Sequence, residues 1–381
     1  MAKKKILNPV LVPYKQDKLK NSDILGYVGG LPLRYGGNVN VPTDSDIQAL
    51  RSDMEEIESA IGDIQIGTVT PRSYNPVIDL ASMQELRVLD IGNSFSDDPI
   101  AYLSRFAYAD TAVDMSTICF YSAVRSSGSY KTFYDSWRGQ DNQYSDGSGC
   151  SYRINKRFGE LTQNITGSNR LEQLHSAIKD CKWDVIMIHQ VSSYSGKYET
   201  WEGHSDGGYL TEFVRILKVY QPQAMIGYLM PHAAYDQNNN TAQLWEEIAT
   251  ATKKIQANYA IDFIVPVATA IENLRASTLK NSSIEYGFSR DKHHLGYGLA
   301  RYVAAATYFH ALLGRKYSTS VFENRLVYAV SDDEKSSSEN KYPNESVDVT
   351  ASNKTLAQLC ALLACCNAYT ITPPEGIAET I

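Results

Sequence analysis

Two short segments carry residue types that do chemistry together. The first, Arg87-Val88-Leu89-Asp90-Ile91-Gly92-Asn93-Ser94-Phe95-Ser96, is an apolar run ending in a glycine and a serine. A serine at the carboxyl end of a buried strand, just ahead of a helix, lies where free backbone N–H groups and the helix dipole favour a developing anion. Gly92 allows the sharp turn such a position needs. The same residues serve equally well as a helix start, with Ser94 or Ser96 as its cap. The second segment, Asp291-Lys292-His293-His294-Leu295-Gly296-Tyr297-Gly298, sets a carboxylate and an imidazole three residues apart ahead of a long apolar stretch. An aspartate so placed orients the ring and stabilises its imidazolium while the ring accepts a proton from a serine. Adjacent histidines also occur in metal sites, but no third ligand stands near them and no cysteine spacing fits zinc, so neither metal nor organic cofactor is called for.

The elements between these segments alternate. Strand-like apolar runs cover Arg87–Ile91, Met115–Tyr121, Trp183–His189, Ala224–Met230 and Phe263–Ala268. Helical patterns cover Pro99–Tyr108, Arg170–Asp180, Tyr209–Tyr220, Ala242–Tyr259 and Leu295–Leu313. Such alternation predicts an α/β domain over residues 76–313, a parallel sheet with helices on both faces. Ligands of these sheets lie beyond the carboxyl ends of the strands. Ser94 and the Asp291–His294 pair both fall there, at opposite ends of the domain.

Over residues 84–313 the chain resembles the SGNH/GDSL hydrolase superfamily, in particular a branch common in gut Bacteroides whose first block reads Ile-Gly-Asn-Ser-Phe-Ser. The resemblance implies a flavodoxin-like three-layer α/β/α fold and a serine esterase. It implies that Ser94 is the nucleophile and that Asp291 and His294 are the Asp-x-x-His pair, with His293 a neighbour. It implies an oxyanion donor from the glycine after the second strand, here Gly128 in Ser127-Gly128-Ser129. The third block departs from the family: His189-Gln190-Val191-Ser192-Ser193 has no asparagine, and the Gln190 amide stands where that donor would be, one methylene farther out. Gln190 as a hydrogen-bonding core residue is the competing assignment. The aspartate of a usual Gly-Asp-Ser is Asn93 here.

Other side chains near strand ends are weaker candidates. Tyr194 and His232 are placed to line a substrate pocket. Tyr194, Tyr198 and Trp201 offer either an aromatic sugar-binding wall or ordinary packing. His189 reads as a core histidine, and Asp97-Asp98 as charges serving the helix N-terminus. The implied substrate is an acylated carbohydrate or another small ester, with O-acetyl groups on a polysaccharide the first expectation. No long apolar lid segment marks a lipase.

Composition agrees with a soluble enzyme: 381 residues, 43% apolar and 21% charged. A net charge of −7 favours neither nucleic acid nor an anionic membrane. The 26 tyrosines beside 10 phenylalanines suit interface or glycan-facing surfaces. Six cysteines spread over this length read as buried free thiols rather than a disulfide framework. No signal peptide is read in Met1-Ala2-Lys3-Lys4-Lys5 and the short run after it, and no apolar run is long enough to span a membrane.

Residues 1–43 read as an extended arm punctuated by Gly29-Gly30 and Gly36-Gly37. In residues 44–70, Ile47, Leu50, Met54, Ile57, Ile61 and Ile64 recur three and four apart, a narrow stripe expected of a coiled coil. An amphipathic helix packed within its own chain is the competing form. Isoleucine at both seam positions leans toward a trimer through residues 44–64. An arm, a coiled coil and an enzymatic head resemble phage tail or fibre proteins. This implies a virion-attached esterase, with residues 1–43 meeting other virion proteins. An inactive SGNH-fold binding module and an ordinary cytoplasmic esterase are the alternatives. Residues 314–381 are expected to form an extension packed on the hydrolase domain, with Asp332–Pro343 an exposed loop and Thr350–Asn367 a final helix.

Overall fold

The computed structural model describes residues 24–28, 31–34, 80–138, 153–155, 174, 177–198, 209–235, 240–258 and 261–375. Two compact units divide the chain, Met1–Arg72 and Ser73–Ile381. Of the first, two antiparallel strands are described, β1 (Ile24–Val28) and β2 (Leu31–Arg34), on either side of Gly29-Gly30. The heptad-patterned residues 44–64 and Trp201 lie outside the described residues.

A strand covered on both faces must be apolar along its whole length. Leu86–Gly92 (β3) meets that demand, with Leu86 and Val88 facing one layer of helices and Leu89 and Ile91 the other. Among the described residues it lies within a six-stranded sheet with β4 (Ile118–Val124), β5 (Arg153–Asn155), β6 (Val185–Ile188), β7 (Met225–Leu229) and β8 (Phe263–Val265), in the order β5-β4-β3-β6-β7-β8. Five strands are parallel and β5 is an antiparallel edge. Counted among the parallel strands alone, the order is 2-1-3-4-5, the flavodoxin-like one. The winding reverses between β3 and β6, so a crevice opens beyond their carboxyl ends.

On one face pack α1 (Ser94–Ala109), α5 (Val267–Ala276), α6 (Leu299–Phe309) and α7 (Lys354–Cys366), which share a core with Val88, Phe120 and Met187. On the other pack α2 (Tyr130–Arg138), α3 (Tyr209–Tyr220) and α4 (Thr241–Asn258), around Leu89, Ile91, Ile186 and Ile226. The unit Ser73–Ile381 therefore has a three-layer α/β/α fold. No helix among the described residues is long and apolar enough to cross a membrane.

The departures from the expected elements have local causes. The strand expected from Met115 begins at Ile118, because the Asp114 side chain accepts the Ser116 N–H and tightens Met115–Thr117 into a 3-10 turn. The strand expected to reach Ala268 stops at Val265; Pro266 has no N–H for the ladder, and α5 begins at once. Helix α5 was not expected at all, since Val267 and Ala268 read as the end of the apolar strand run and no loop separates that run from the helix. The helix expected from Leu295 starts at Leu299, after Gly298 at φ +74. Within the expected loop Asp332–Pro343, Asp332–Ser336 forms a short helix closed by a Ser331–Glu334 capping box. Cys366 is exposed and Cys181 and Cys365 are half-buried, so free thiols are not uniformly buried.

Candidate active site

Helix α1 begins five residues earlier than its apolar pattern marks, and its cap is Asn93, whose Oδ1 accepts the Phe95 N–H at 2.9 Å. Asn93 therefore fills the capping role and leaves the Ser94 hydroxyl for other partners. Asn93 is itself held twice: its N–H donates to His189 Nε2 at 3.1 Å, and its amide NH₂ donates to the Gly128 carbonyl at 2.9 Å. His189 is the core histidine expected, with Nδ1 against the Gln190 carbonyl at 3.1 Å. Since Nε2 accepts, Nδ1 carries the proton. Burial pushes this ring down to about 4, which keeps it neutral. Gly92 makes the close approach: a Cβ there would lie 2.3 Å from both His189 Nε2 and Ser96 Oγ.

The second segment meets the first across the crevice. Asp291 Oδ2 lies 2.7 Å from His294 Nδ1, and His294 Nε2 lies 2.9 Å from Ser94 Oγ. Asp291 Oδ1 also accepts the N–H groups of His293 (2.8 Å) and His294 (2.6 Å), a fold of the chain that puts Lys292 in the left-handed region at φ +70. Burial alone would raise the Asp291 carboxyl, but the ring and backbone donors outweigh it and hold it well below the usual carboxylate range. A left-handed lysine is strained, so something outside the loop must hold it. Segment 340–347 packs on the chain either side of the loop, and its Tyr342 N–H donates to the Arg290 carbonyl at 3.0 Å. Glu345, 1% exposed, accepts N–H groups from Glu285 (2.7 Å), Tyr286 (2.7 Å) and Phe288 (2.6 Å). The Val347 carbonyl accepts the Leu299 N–H, and a Cβ on Gly298 would lie 2.0 Å from that carbonyl.

Aromatic packing fixes the rest of the pair's surroundings. Phe95 stacks on His232, with centroids 4.1 Å apart and planes 5° off parallel, and meets His293 edge-on at 4.9 Å. His232 was expected to line the pocket. Instead it is 1% exposed, and its Nε2 donates to the His293 carbonyl at 3.0 Å, so it supports the loop from beneath. Burial lowers its ring to about 3, with Asp98 opposing. Asp98 does not serve the helix terminus either; it is fully buried between Arg290 and Arg301.

Beside Ser94 opens a cavity of about 610 Å³. Tyr194 and Gln190 line it, as does His293, the neighbour of His294, together with Tyr130 and Tyr209, which no sequence signal marked. Gln190 Oε1 accepts the N–H groups of Val191 (2.9 Å) and Tyr130 (3.4 Å), which turns its NH₂ the other way. Gly128 departs from its expected place as an oxyanion donor: its N–H is committed to the Arg125 carbonyl at 3.0 Å in a turn, and the wall is formed by its neighbours Ser127 and Ser129. Tyr198 is buried under Lys254, whose ammonium lies 4.8 Å from its ring centroid, and it packs rather than lining the cavity. Among the described residues no three His, Cys, Asp or Glu side chains gather as metal ligands.

One further carboxyl lies on β3, the strand that leads to Ser94. Asp90 is 1% exposed; Oδ2 accepts the Tyr308 hydroxyl at 3.0 Å, while Oδ1 has no partner. Burial pushes this group up to about 7, against the Tyr308 hydrogen bond. The folded state thus prefers the neutral acid, whereas the unfolded chain ionises near pH 4. The resulting stabilisation is complete below about pH 4 and is lost as pH rises through about 7. Asp90→Asn, which cannot ionise, is expected to gain stability over the wild type between pH 5 and pH 8, by up to a few kcal/mol in urea unfolding. Parallel profiles for the two proteins would contradict a buried, neutral Asp90.

Residues 162–340 match the model of a family described as a domain of unknown function, DUF4886. The crystal structure of a DUF4886 family protein from Bacteroides uniformis ATCC 8492 shares the fold, at 23% identity and a TM-score of 0.54, over 77% of this chain and 99% of that one. That of a "putative GDSL-like lipase" from Parabacteroides merdae ATCC 43184 aligns at 12% identity and a TM-score of 0.36, over 61% of this chain and 98% of that one. No curated protein matches the chain. Ser94 lies outside the matched family segment, whereas Asp291 and His294 lie inside it.

Proposed function

We propose that this chain is a serine esterase of the SGNH/GDSL type, acting on short acyl esters of hydroxyl-rich molecules, O-acetylated carbohydrate foremost. The observation that carries this is the unbroken line Asp291–His294–Ser94, with links of 2.7 and 2.9 Å. In the reaction His294 Nε2 takes the Ser94 proton as Oγ bonds to the acyl carbon. The imidazolium, oriented by Asp291, then returns that proton to the departing alkoxide as the ester C–O bond breaks. A water, deprotonated by the same ring, releases the acyl group and frees Ser94.

The negative charge of the tetrahedral intermediate falls near the first turn of α1. The Ser94 N–H and the Gln190 NH₂ are the donors favoured here. Because the Gly128 N–H is engaged, the Ser129 N–H takes its place; it has no partner among the described residues. The substrate class follows from the cavity wall. Ser127, Ser129, Thr132 and Ser193 offer hydroxyls and Tyr194 a ring 44% exposed, while Phe95 and Val191 are the apolar residues beside them. Such a wall suits a polyol with a small acyl group, and the described residues form no trough for a long chain.

Wild type is expected to hydrolyse p-nitrophenyl acetate and to release acetate from acetylated glycans. Quenched early in turnover, it should carry the acetyl group on Ser94 by mass spectrometry. Hydrolysis undiminished in Ser94→Ala, or an adduct on another residue, would overturn the proposal. Assembly as a trimer through residues 44–64 belongs to the same proposal; a monomeric mass of the full chain by light scattering would remove it.

A further inference from the structure

We infer that Asp98 is a positioning residue: one buried carboxylate ties the helix that begins at Ser94 to both ends of the Asp291–His294 loop and so sets the distance from Ser94 to His294. The inference rests on the catalytic reading above. Asp98 stands four residues after Ser94, one turn along the same side of α1. Its Oδ1 accepts from Arg290 Nη1 at 2.8 Å and from Arg301 Nε at 3.0 Å, with Arg301 Nη2 also 2.8 Å away. Its Oδ2 accepts the Leu295 N–H at 2.8 Å. Arg290 immediately precedes Asp291, and Leu295 immediately follows His294. Arg290 Nη1 also donates to the Leu295 carbonyl at 2.5 Å, which closes the loop on itself. The Tyr297 ring packs against both guanidiniums, 5.3 Å from Arg290 and 4.5 Å from Arg301.

Three features separate this arrangement from a generic ion pair. It is buried, with Asp98 fully covered and the arginine side chains 7% and 13% exposed. It is directional, because each carboxylate oxygen has its own donors and cannot slip to another register. It also leaves a net positive charge below the loop, because one carboxylate faces two guanidiniums. Burial would raise the Asp98 carboxyl, but Arg290 and Arg301 outweigh it and hold it far below the usual range, so the tie persists across any working pH. Buried ion pairs often add little to stability compared with apolar packing. What this one adds is register, and a displacement of about 1 Å between reacting groups costs about 100-fold in rate.

The test uses the full chain, with Asp98→Asn beside Leu312→Ala. The control opens a cavity in the π-helical turn His310–Gly314 that continues α6, roughly 20 Å along from Leu299, where Leu312 is fully buried. At a temperature where all proteins are folded, Asp98→Asn is expected to lose about 10- to 100-fold in kcat on p-nitrophenyl acetate, with KM within about twofold. It should also lose, by proton NMR, the downfield signal of the His294 Nδ1–H bonded to Asp291. Leu312→Ala should keep both. Should Asp98→Asn fail to fold, Arg301→Lys removes the two-nitrogen contact alone and is expected to lower kcat about three- to tenfold with the same split. Wild-type rate and signal in the Asp98 or Arg301 variant, or an equal loss in Leu312→Ala, would overturn the inference. The NMR signal is read without turnover, so a wild type that shows it yet hydrolyses nothing sinks the esterase proposal and not this one.

Discussion

Ser94→Ala and His294→Ala are each expected to lower kcat on an activated acetate ester by about 10⁴-fold or more, with KM changing by less than about threefold. The asymmetry follows from when each contact matters. In the resting site Ser94 and His294 share one hydrogen bond of 2.9 Å. In the proposed reaction that contact becomes a proton transfer coupled to bond formation, which neither partner does alone. The double variant should therefore be no slower than the slower single one. Asp291→Asn is a sharper probe. Its carbonyl oxygen can still accept the N–H groups of His293 and His294, which keeps the loop folded. Its NH₂ would then face His294 Nδ1 and force the proton to Nε2, where Ser94 needs an acceptor. A fall of about 10⁴ with unchanged stability is expected. Steady-state kinetics together with thermal melts check all three, and a fall of less than about tenfold in His294→Ala would mean that the ring is not the base.

Most of the layer structure was legible from the sequence because strands buried on both faces announce themselves as apolar runs. Arg87–Ile91 was marked almost whole, and Tyr209–Tyr220 to the residue. Helix α5 escaped because its start is masked by the strand before it: Val267 and Ala268 extend the apolar run of β8, and only Pro266 stands between strand and helix. The pairing of Asp291 with His294 was readable because three residues of spacing suffice to bring carboxylate and ring together. What held the pair was not readable. Glu345 lies over fifty residues away in an unremarkable polar stretch, and its acceptance of three backbone N–H groups depends on tertiary approach alone.

The cap of α1 shows how a local ambiguity is resolved. Ser94, Ser96 and Asn93 are all competent caps by type. Asn93 takes the position because its backbone is already extended, at φ −135 and ψ −163, and because His189 and Gly128 hold its other polar groups. Once Asn93 caps, the next residue's hydroxyl is turned outward at the helix start. The departure from a Gly-Asp-Ser block is thus structurally meaningful: an amide donates to the Gly128 carbonyl, which an ionised aspartate cannot do.

Gln190→Ala is expected to lower kcat by about 10²–10³, with little change in KM. The size rests on the orientation of the amide. Its oxygen is occupied by the N–H groups of Val191 and Tyr130, so the side chain cannot flip without stranding two backbone donors. The NH₂ is therefore presented to the cavity in advance, at no cost of reorganisation when charge develops on the substrate oxygen. Gln190→Glu separates this role from packing. A carboxylate would still accept the Val191 and Tyr130 N–H groups and fill nearly the same volume, but it would present an acceptor to the developing oxyanion. It should be slower than Gln190→Ala, although it disturbs the fold less. A merely structural glutamine gives the opposite order, with glutamate tolerated and alanine damaging. The ranking of the two variants in kcat, measured beside their melting temperatures, decides whether this amide is an oxyanion donor despite its extra methylene.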